Sequence, residues 1–169
     1  PVGENRVSVV PNSYKKLNKL GFELTVESGA GEISHYSDNE YQSTGFTVSD
    51  KTSVLESDIV VSISMPDLSN AKEGQIFVCV SDPFRNPRMV KQAIEKKFTL
   101  ICMDLIPRRL SRAQAMDVNS SQDNLAGYKA VLLGAAHVPR GIPMMTTSAG
   151  TVRPSKFVIM GSGCLLYTS

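Results

Sequence analysis

The stretch GQIFVCVSDPFRNPRMVKQAIEKKFTLICMD, Gly74 to Asp104, decides the fold. Ile76 to Val80 is a continuous apolar run entered through Gly74, the pattern of a strand buried on both faces of a parallel sheet. Asp82 to Pro87 is rich in turn formers and predicts a loop. From Pro87 to Lys97, the residues Met89, Val90, Ala93 and Ile94 recur at helical spacing with charged residues between them, which predicts an amphipathic helix with those four facing inward. Phe98 to Met103 is apolar again and predicts a further strand. Strand, helix, strand at this spacing is the crossover unit of a parallel sheet. The loop at Asp82 lies beyond the carboxyl end of a strand, where open α/β sheets place ligands.

The chain before this stretch repeats the rhythm. Arg6 to Val10 reads as a short strand closed by Pro11. Asn12 or Ser13 can cap a helix whose Tyr14, Leu17 and Leu20 face inward and whose Lys15, Lys16 and Lys19 face out, with Gly21 as its stop. Phe22 to Glu27 predicts a strand, Ser37 to Gln42 a short helix, and Asp58 to Ser64 another buried strand, ended by Pro66. Gly29-Ala30-Gly31 follows a strand as a phosphate-binding turn would. Ser34 stands where the third glycine belongs, and no apolar helix starts there, so the segment reads as a turn. His35 lies in a polar loop without a partner cluster and reads as a surface residue.

After Asp104 the pattern changes. Ile106 to Met116 places Arg108, Arg109, Arg112 and Gln114 behind Pro107, with few core-type residues. Asn119 to Ala136 is then helical, with Leu125, Tyr128 and Leu132 forming a stripe that Val131 and Ala135 widen. Asp117, Ser120 and Ser121 are all suited to its N-cap. A loop with three arginines and an amide that feeds a buried helix start can hold an anionic, hydrogen-bonding ligand. Solvated surface is the alternative reading of the same residues. Val138 to Pro154 reads as a connector, and Lys156 to Met160 as a strand that ends in Gly161-Ser162-Gly163. That is the start of a dinucleotide fingerprint, but Leu166 occupies the position of its third glycine.

The 169 residues are 41% hydrophobic, enough for a globular core. A net charge of +2 points neither to nucleic acid nor to an anionic membrane. No run approaches the ~18 apolar residues of a transmembrane helix, and nothing at the N-terminus reads as a signal peptide. Cys79 and Cys102 fall in expected buried strands and read as inert thiols; no metal-ligand cluster is apparent.

Several segments together, MDLIPRRLSRAQAMD (103–117), SSQDNLAGYKAV (120–131) and PMMTTSAGTVRPSKFVIMGSG (143–163), resemble the NAD(H)-binding part of proton-translocating NAD(P) transhydrogenases. ENRVSVVP, KKLNKLGFELTVESGAG and the segment Asp82 to Pro87 extend the likeness, in order, from about Glu4 to Gly163. The expected architecture is a doubly wound parallel α/β domain of the Rossmann or flavodoxin-like kind over residues 1–118. A linking helix and the beginning of a second, truncated NAD(H)-binding Rossmann domain follow over 119–163. CLLYTS, residues 164–169, matches nothing in the family and is expected to be a non-native tail.

Alanine dehydrogenases share this fold family. They hold pyruvate with a lysine at the end of the strand equivalent to Asp58–Ser64 and use a histidine after the next strand. Here Ser64 stands at the lysine position, and Val80, Ser81 and Asp82 occupy the histidine region. The resemblance to transhydrogenases implies that Gln114, Asp117 and Ser120 lie near a bound nicotinamide, with one loop arginine. Counting from Pro107 selects Arg108, and counting back from Gln114 selects Arg109, which is preferred. Gly161 and Gly163 would approach the pyrophosphate. The cofactor implied is NAD(H), with NADP(H) on a partner domain, and the catalytic candidates are Gln114 and Asp117. The implied partners are the NADP(H)-binding and transmembrane domains of the same enzyme, and the parent would be a homodimer. The segment itself is expected neither to insert in a membrane nor to bind nucleic acid. The parent would sit at the cytoplasmic face in a bacterium or the matrix face in a mitochondrion. The chain by itself is expected to be inactive and to bind NAD poorly, since the helix and acidic residue that complete the fingerprint are missing. A non-catalytic interaction fragment is the remaining alternative.

Overall fold

The computed structural model describes residues 3–160. The chain divides into two compact units, residues 1–106 and 107–169. In the first unit, helix α1 (Tyr14–Asn18) precedes strand β1 (Thr25–Glu27), and helix α2 (Asp38–Thr44) precedes strand β2 (Thr47–Ser49). Strands β1 and β2 pair in parallel. Helix α3 (Lys51–Leu55) leads to strand β3 (Ile59–Ser64), followed by β4 (Ile76–Val80), helix α4 (Pro87–Lys96) and β5 (Thr99–Cys102). These last three strands form a parallel sheet in the order β3-β4-β5. The expected parallel α/β class is therefore what the chain adopts.

Register puts Val60, Phe77 and Leu100 side by side across this sheet. Val60 and Phe77 belong to a core of Val60, Leu68, Phe77, Met89 and Phe98, against which Leu55, Met65, Ala93 and Leu100 pack. Phe77 meets Phe98 edge to face, with ring centres 5.0 Å apart. A second cluster pins α2. Tyr41 is fully buried, sits edge-on to Phe46, and donates its hydroxyl to the Val9 carbonyl at 2.7 Å. Ser37 and Glu40 form a reciprocal capping box at the start of α2. The turn at 28–31 is held from within, because Asp38 accepts from the Ser28 hydroxyl and from the Gly29 N–H at 2.9 Å. Gly31 packs so closely that a Cβ there would lie 2.6 Å from the Tyr36 carbonyl oxygen. Its glycine serves packing.

Several local expectations are corrected. Arg6 to Val10 is not a strand, because its acceptors go elsewhere: Val9 O to Tyr41, and Val10 O to the Ser13 N–H at 2.9 Å. Only Thr25–Glu27 of the Phe22–Glu27 segment is a strand, since its partner is itself three residues long. Leu20 is 71% exposed, because α1 ends at Asn18 and leaves it outside the helical stripe. In α4, Met89 is buried and Ala93 half-buried, but Val90 and Ile94 are exposed. Both border an open groove of about 460 Å³ with Phe98, Leu100, Cys102 and Leu105. Strand β2 and helix α3 were not anticipated. Their segment is short and polar, and α3 is specified by its cap, Asp50, which accepts from the Thr52 and Ser53 N–H groups.

In the second unit, helix α5 spans Val118–His137, close to the expected limits. Its stripe is not buried: Leu125, Tyr128, Val131 and Leu132 are all exposed. Periodicity identifies a face that needs a cover, without supplying one. The connector contains a hairpin, β6 (Met145–Thr147) with β7 (Gly150–Val152), turned at Gly150, whose φ is +128°. Lys156 to Met160 is not a strand; among the described residues it has no ladder partner, and Val158 and Met160 stand almost fully exposed. No described helix is long and apolar enough to cross a membrane.

Candidate functional site

At the carboxyl end of the first unit's sheet, β4 runs into Ser81 and Asp82. Asp104, just past β5, accepts from both backbone N–H groups, with Oδ1 3.0 Å from Ser81 N and Oδ2 2.9 Å from Asp82 N. Asn86 donates to the Ser81 carbonyl at 3.2 Å. Asp82 takes a left-handed conformation, φ +43°, which the double contact supports. Asp104 thus ties the ends of two neighbouring strands into one rigid rim. This role was not read in the sequence, where the only signal is an acidic residue directly after an apolar strand. Asp104→Ala would leave two N–H groups without their acceptor, one at buried Ser81 and one at half-buried Asp82. The expected cost is about 2–4 kcal/mol, from roughly 1–3 kcal/mol per unsatisfied group. Thermal denaturation checks it, and Asp104→Asn, which keeps one acceptor, should lose less.

The cysteines lie on the same sheet. Cys79 and Cys102 are register partners on β4 and β5, and both are free thiols. Burial pushes the Cys79 thiol up to about 11, and its S–H points at Met65 Sδ, 3.2 Å away. Cys102 is half-buried and borders the groove beside α4. At pH 8 the Cys79 thiolate is therefore scarce, and the thiolate is the reactive form. Mass spectrometry after maleimide treatment of the native protein should find label at Cys102 well before Cys79.

Ser64 ends β3 and accepts, through its carbonyl, a bond from the Ser62 hydroxyl at 2.7 Å. Its short neutral side chain offers no cation for a substrate carboxylate.

The second unit opens with the arginine loop. Successive turns carry it: Ala113 N–H bonds to Leu110 O at 2.8 Å, Met116 N–H to Ala113 O at 2.9 Å, and Asp117 N–H to Gln114 O at 3.2 Å. Ala113 is the buried residue of the loop, and Gln114 is exposed at the start of a short 3-10 turn, Gln114–Met116. Asp117 is the N-cap of α5. Its Oδ1 accepts from the Ser120 N–H at 2.9 Å and its Oδ2 from the Ser120 hydroxyl at 2.5 Å. These bonds to Ser120, helped by Arg108, hold the Asp117 carboxyl below the ordinary aspartate range. Arg108 Nε lies 3.7 Å from Asp117 Oδ1, and Arg108 Nη2 lies 3.4 Å from Asp123 Oδ2. Arg109 and Arg112 are exposed and take part in no ion pair among the described residues. The loop therefore brings Arg108, Asp117 and Ser120 together and leaves Arg109, Arg112 and Gln114 facing outward. Asp123 was not anticipated; its signal is an acidic residue in the second turn of a helix that follows an arginine loop. Gly161 and Gly163 lie outside the described residues.

A family model described as "Alanine dehydrogenase/PNT, N-terminal domain" matches residues 1–126. The chain belongs to this family. Among its alanine dehydrogenase/PNT relatives is an NAD(P) transhydrogenase alpha-subunit polypeptide of Rhodospirillum rubrum, 38% identical over 171 aligned residues that cover 95% of this chain and 44% of the relative. A solved transhydrogenase structure from Sinorhizobium meliloti is 38% identical, with a TM-score of 0.84 over 91% of this chain and 47% of that one. An L-alanine dehydrogenase structure, 19% identical with a TM-score of 0.71 over 80% of this chain and 38% of that one, shares the fold. The chain thus spans less than half the length of the curated relative and of either solved chain.

Proposed function

We propose that this chain is part of the NAD(H)-binding segment of a proton-translocating NAD(P) transhydrogenase, in which hydride passes directly between NAD(H) and NADP(H). The observation that carries the reading is the 38% identity to a transhydrogenase alpha subunit over 95% of the chain. The alternative, an alanine dehydrogenase, is disfavoured by Ser64 at the position of the pyruvate-holding lysine and by Ser81 and Asp82 where that enzyme keeps a histidine.

The donors of the arginine loop fit the cofactor. Arg109 and Arg112, without an ion pair among the described residues, offer cations for anionic oxygens, and the exposed Gln114 amide can donate and accept as a carboxamide requires. When bound, the nicotinamide supplies the hydride chemistry. In this reading Arg109 binds an anionic or ribose oxygen, and Gln114 orients the nicotinamide and controls its approach. Asp117 and Ser120 brace the loop from the cap of α5. In this reading residues 1–118 would be the first domain, and 119–163 the linking helix and the beginning of the nucleotide-binding domain, where Gly161 and Gly163 would meet the pyrophosphate. No protein acid or base is called for, because a hydride moves between carbons. NADP(H) and the membrane domain belong to other parts of the complete enzyme. That enzyme would be a homodimer, associated with the membrane at the bacterial cytoplasmic or mitochondrial matrix face.

Titration of the complete protein with NADH tests the site. Arg109→Ala should weaken binding roughly tenfold or more, from the ~1.5–3 kcal/mol of a charge-assisted hydrogen bond. Unchanged affinity would remove Arg109 from the proposed site.

A further inference from the structure

We infer that Arg108 and Asp123 form a clasp that positions the arginine loop, leaving Arg109 as the cation that meets an anionic oxygen of the dinucleotide. The inference rests on the NAD(H) reading above. Arg108 is engaged through two of its guanidinium nitrogens, Nε toward Asp117 at the cap and Nη2 toward Asp123 in the next turn of α5. One cation between two carboxylates carries a net charge of about −1, so this group holds no surplus positive charge for an anion. The adjacent Arg109 has none of these partners.

The clasp also closes the loop. Turns run without a break from Leu110 N–H on Pro107 O to Asp117 N–H on Gln114 O, and the Arg108 side chain joins the beginning of that series to its end at Asp117. Opening the clasp frees the end from which Arg109 projects. Asp117 would remain bound by Ser120, so the effect falls on loop position and not on the start of the helix. Asp123 is then a positioning residue that acts through Arg108.

The test uses the complete protein carrying Asp123→Ala, Asp123→Glu, Arg108→Gln and the double variant Arg108→Gln/Asp123→Ala. Two readouts are taken: tryptic cleavage after Arg112 in nucleotide-free protein, and NADH affinity by calorimetry. Exposed ion pairs are modest, so Asp123→Ala should weaken NADH binding about twofold to fivefold and speed cleavage by a similar factor. Asp123→Glu should restore both, and the double variant should be no worse than Arg108→Gln. Cleavage and affinity unchanged in Asp123→Ala would overturn the clasp. So would a loss of tenfold or more in Arg108→Gln with little in Asp123→Ala, since Arg108 would then bind the nucleotide itself. If Arg109→Ala leaves NADH affinity intact and Gln114→Ala leaves single-turnover hydride transfer intact, the nucleotide reading fails and takes the positioning role with it, whatever the cleavage rates.

Discussion

Gln114→Ala in the complete protein is expected to slow single-turnover hydride transfer about 100-fold while NADH affinity changes by only a few-fold. The asymmetry follows from where Gln114 sits. It is exposed on a 3-10 turn, and its backbone is fixed by bonds from Gln114 N–H to Leu110 O and from Asp117 N–H to Gln114 O. Substitution removes the amide without releasing the turn. In the proposed role the amide aligns the nicotinamide, and reacting atoms misplaced by about 1 Å can cost ~100-fold in rate. In the same reading, the contact proposed for Arg109 and those of the rest of the nucleotide are untouched. Rapid-mixing kinetics with NADH and an NADP+ analogue measure the rate, and calorimetry measures the affinity. A normal single-turnover rate would show that the residue has no part in alignment.

Phe77→Ala is expected to destabilise the first unit by about 3–5 kcal/mol, the usual cost of emptying a buried phenylalanine site. Phe77 is 2% exposed on the central strand, between Val60 and Leu100, with Phe98 against its edge. Both strand neighbours are held by parallel ladders, so the cavity has little room to collapse. The result is a loss of about a hundredfold or more in the folding equilibrium, read as a lowered urea midpoint. Val61→Ala is the control. Val61 lies on the other face of the same sheet and is 46% exposed, so its loss should cost within about 1 kcal/mol. Equal midpoints for the two variants would mean that the core lies elsewhere.

The parallel sheet was legible because its strands are long apolar runs. Ile59–Val61 with Ile63 and Ile76–Val80 have no period-2 polar face, and the α4 pattern between β4 and β5 leaves few alternatives to a crossover. Helix α5 was legible from its period, since 3.6-residue spacing survives whatever covers the stripe. Burial was less legible. The α5 stripe and the Val90–Ile94 edge of α4 are apolar by sequence, yet they stand exposed, because pattern encodes a demand for contact and not its partner. Arg6–Val10 and Lys156–Met160 failed as strands for a related reason: strand composition without a ladder does not make a strand. At the candidate site, the residues Arg108, Gln114, Asp117 and Ser120 were visible as a polar cluster before a helix. Their division into paired and outward-facing members was not, because it depends on Asp123, one helical turn further on, and on side-chain directions that spacing does not fix.

The most direct test of the proposed function is to assay the complete protein for two reactions side by side. Hydride transfer from NADH to an NADP+ analogue should proceed, and L-alanine should not support reduction of NAD+. Alanine-dependent NAD+ reduction at an ordinary enzymatic turnover, ~10 per second, with no transfer between nucleotides, would contradict it.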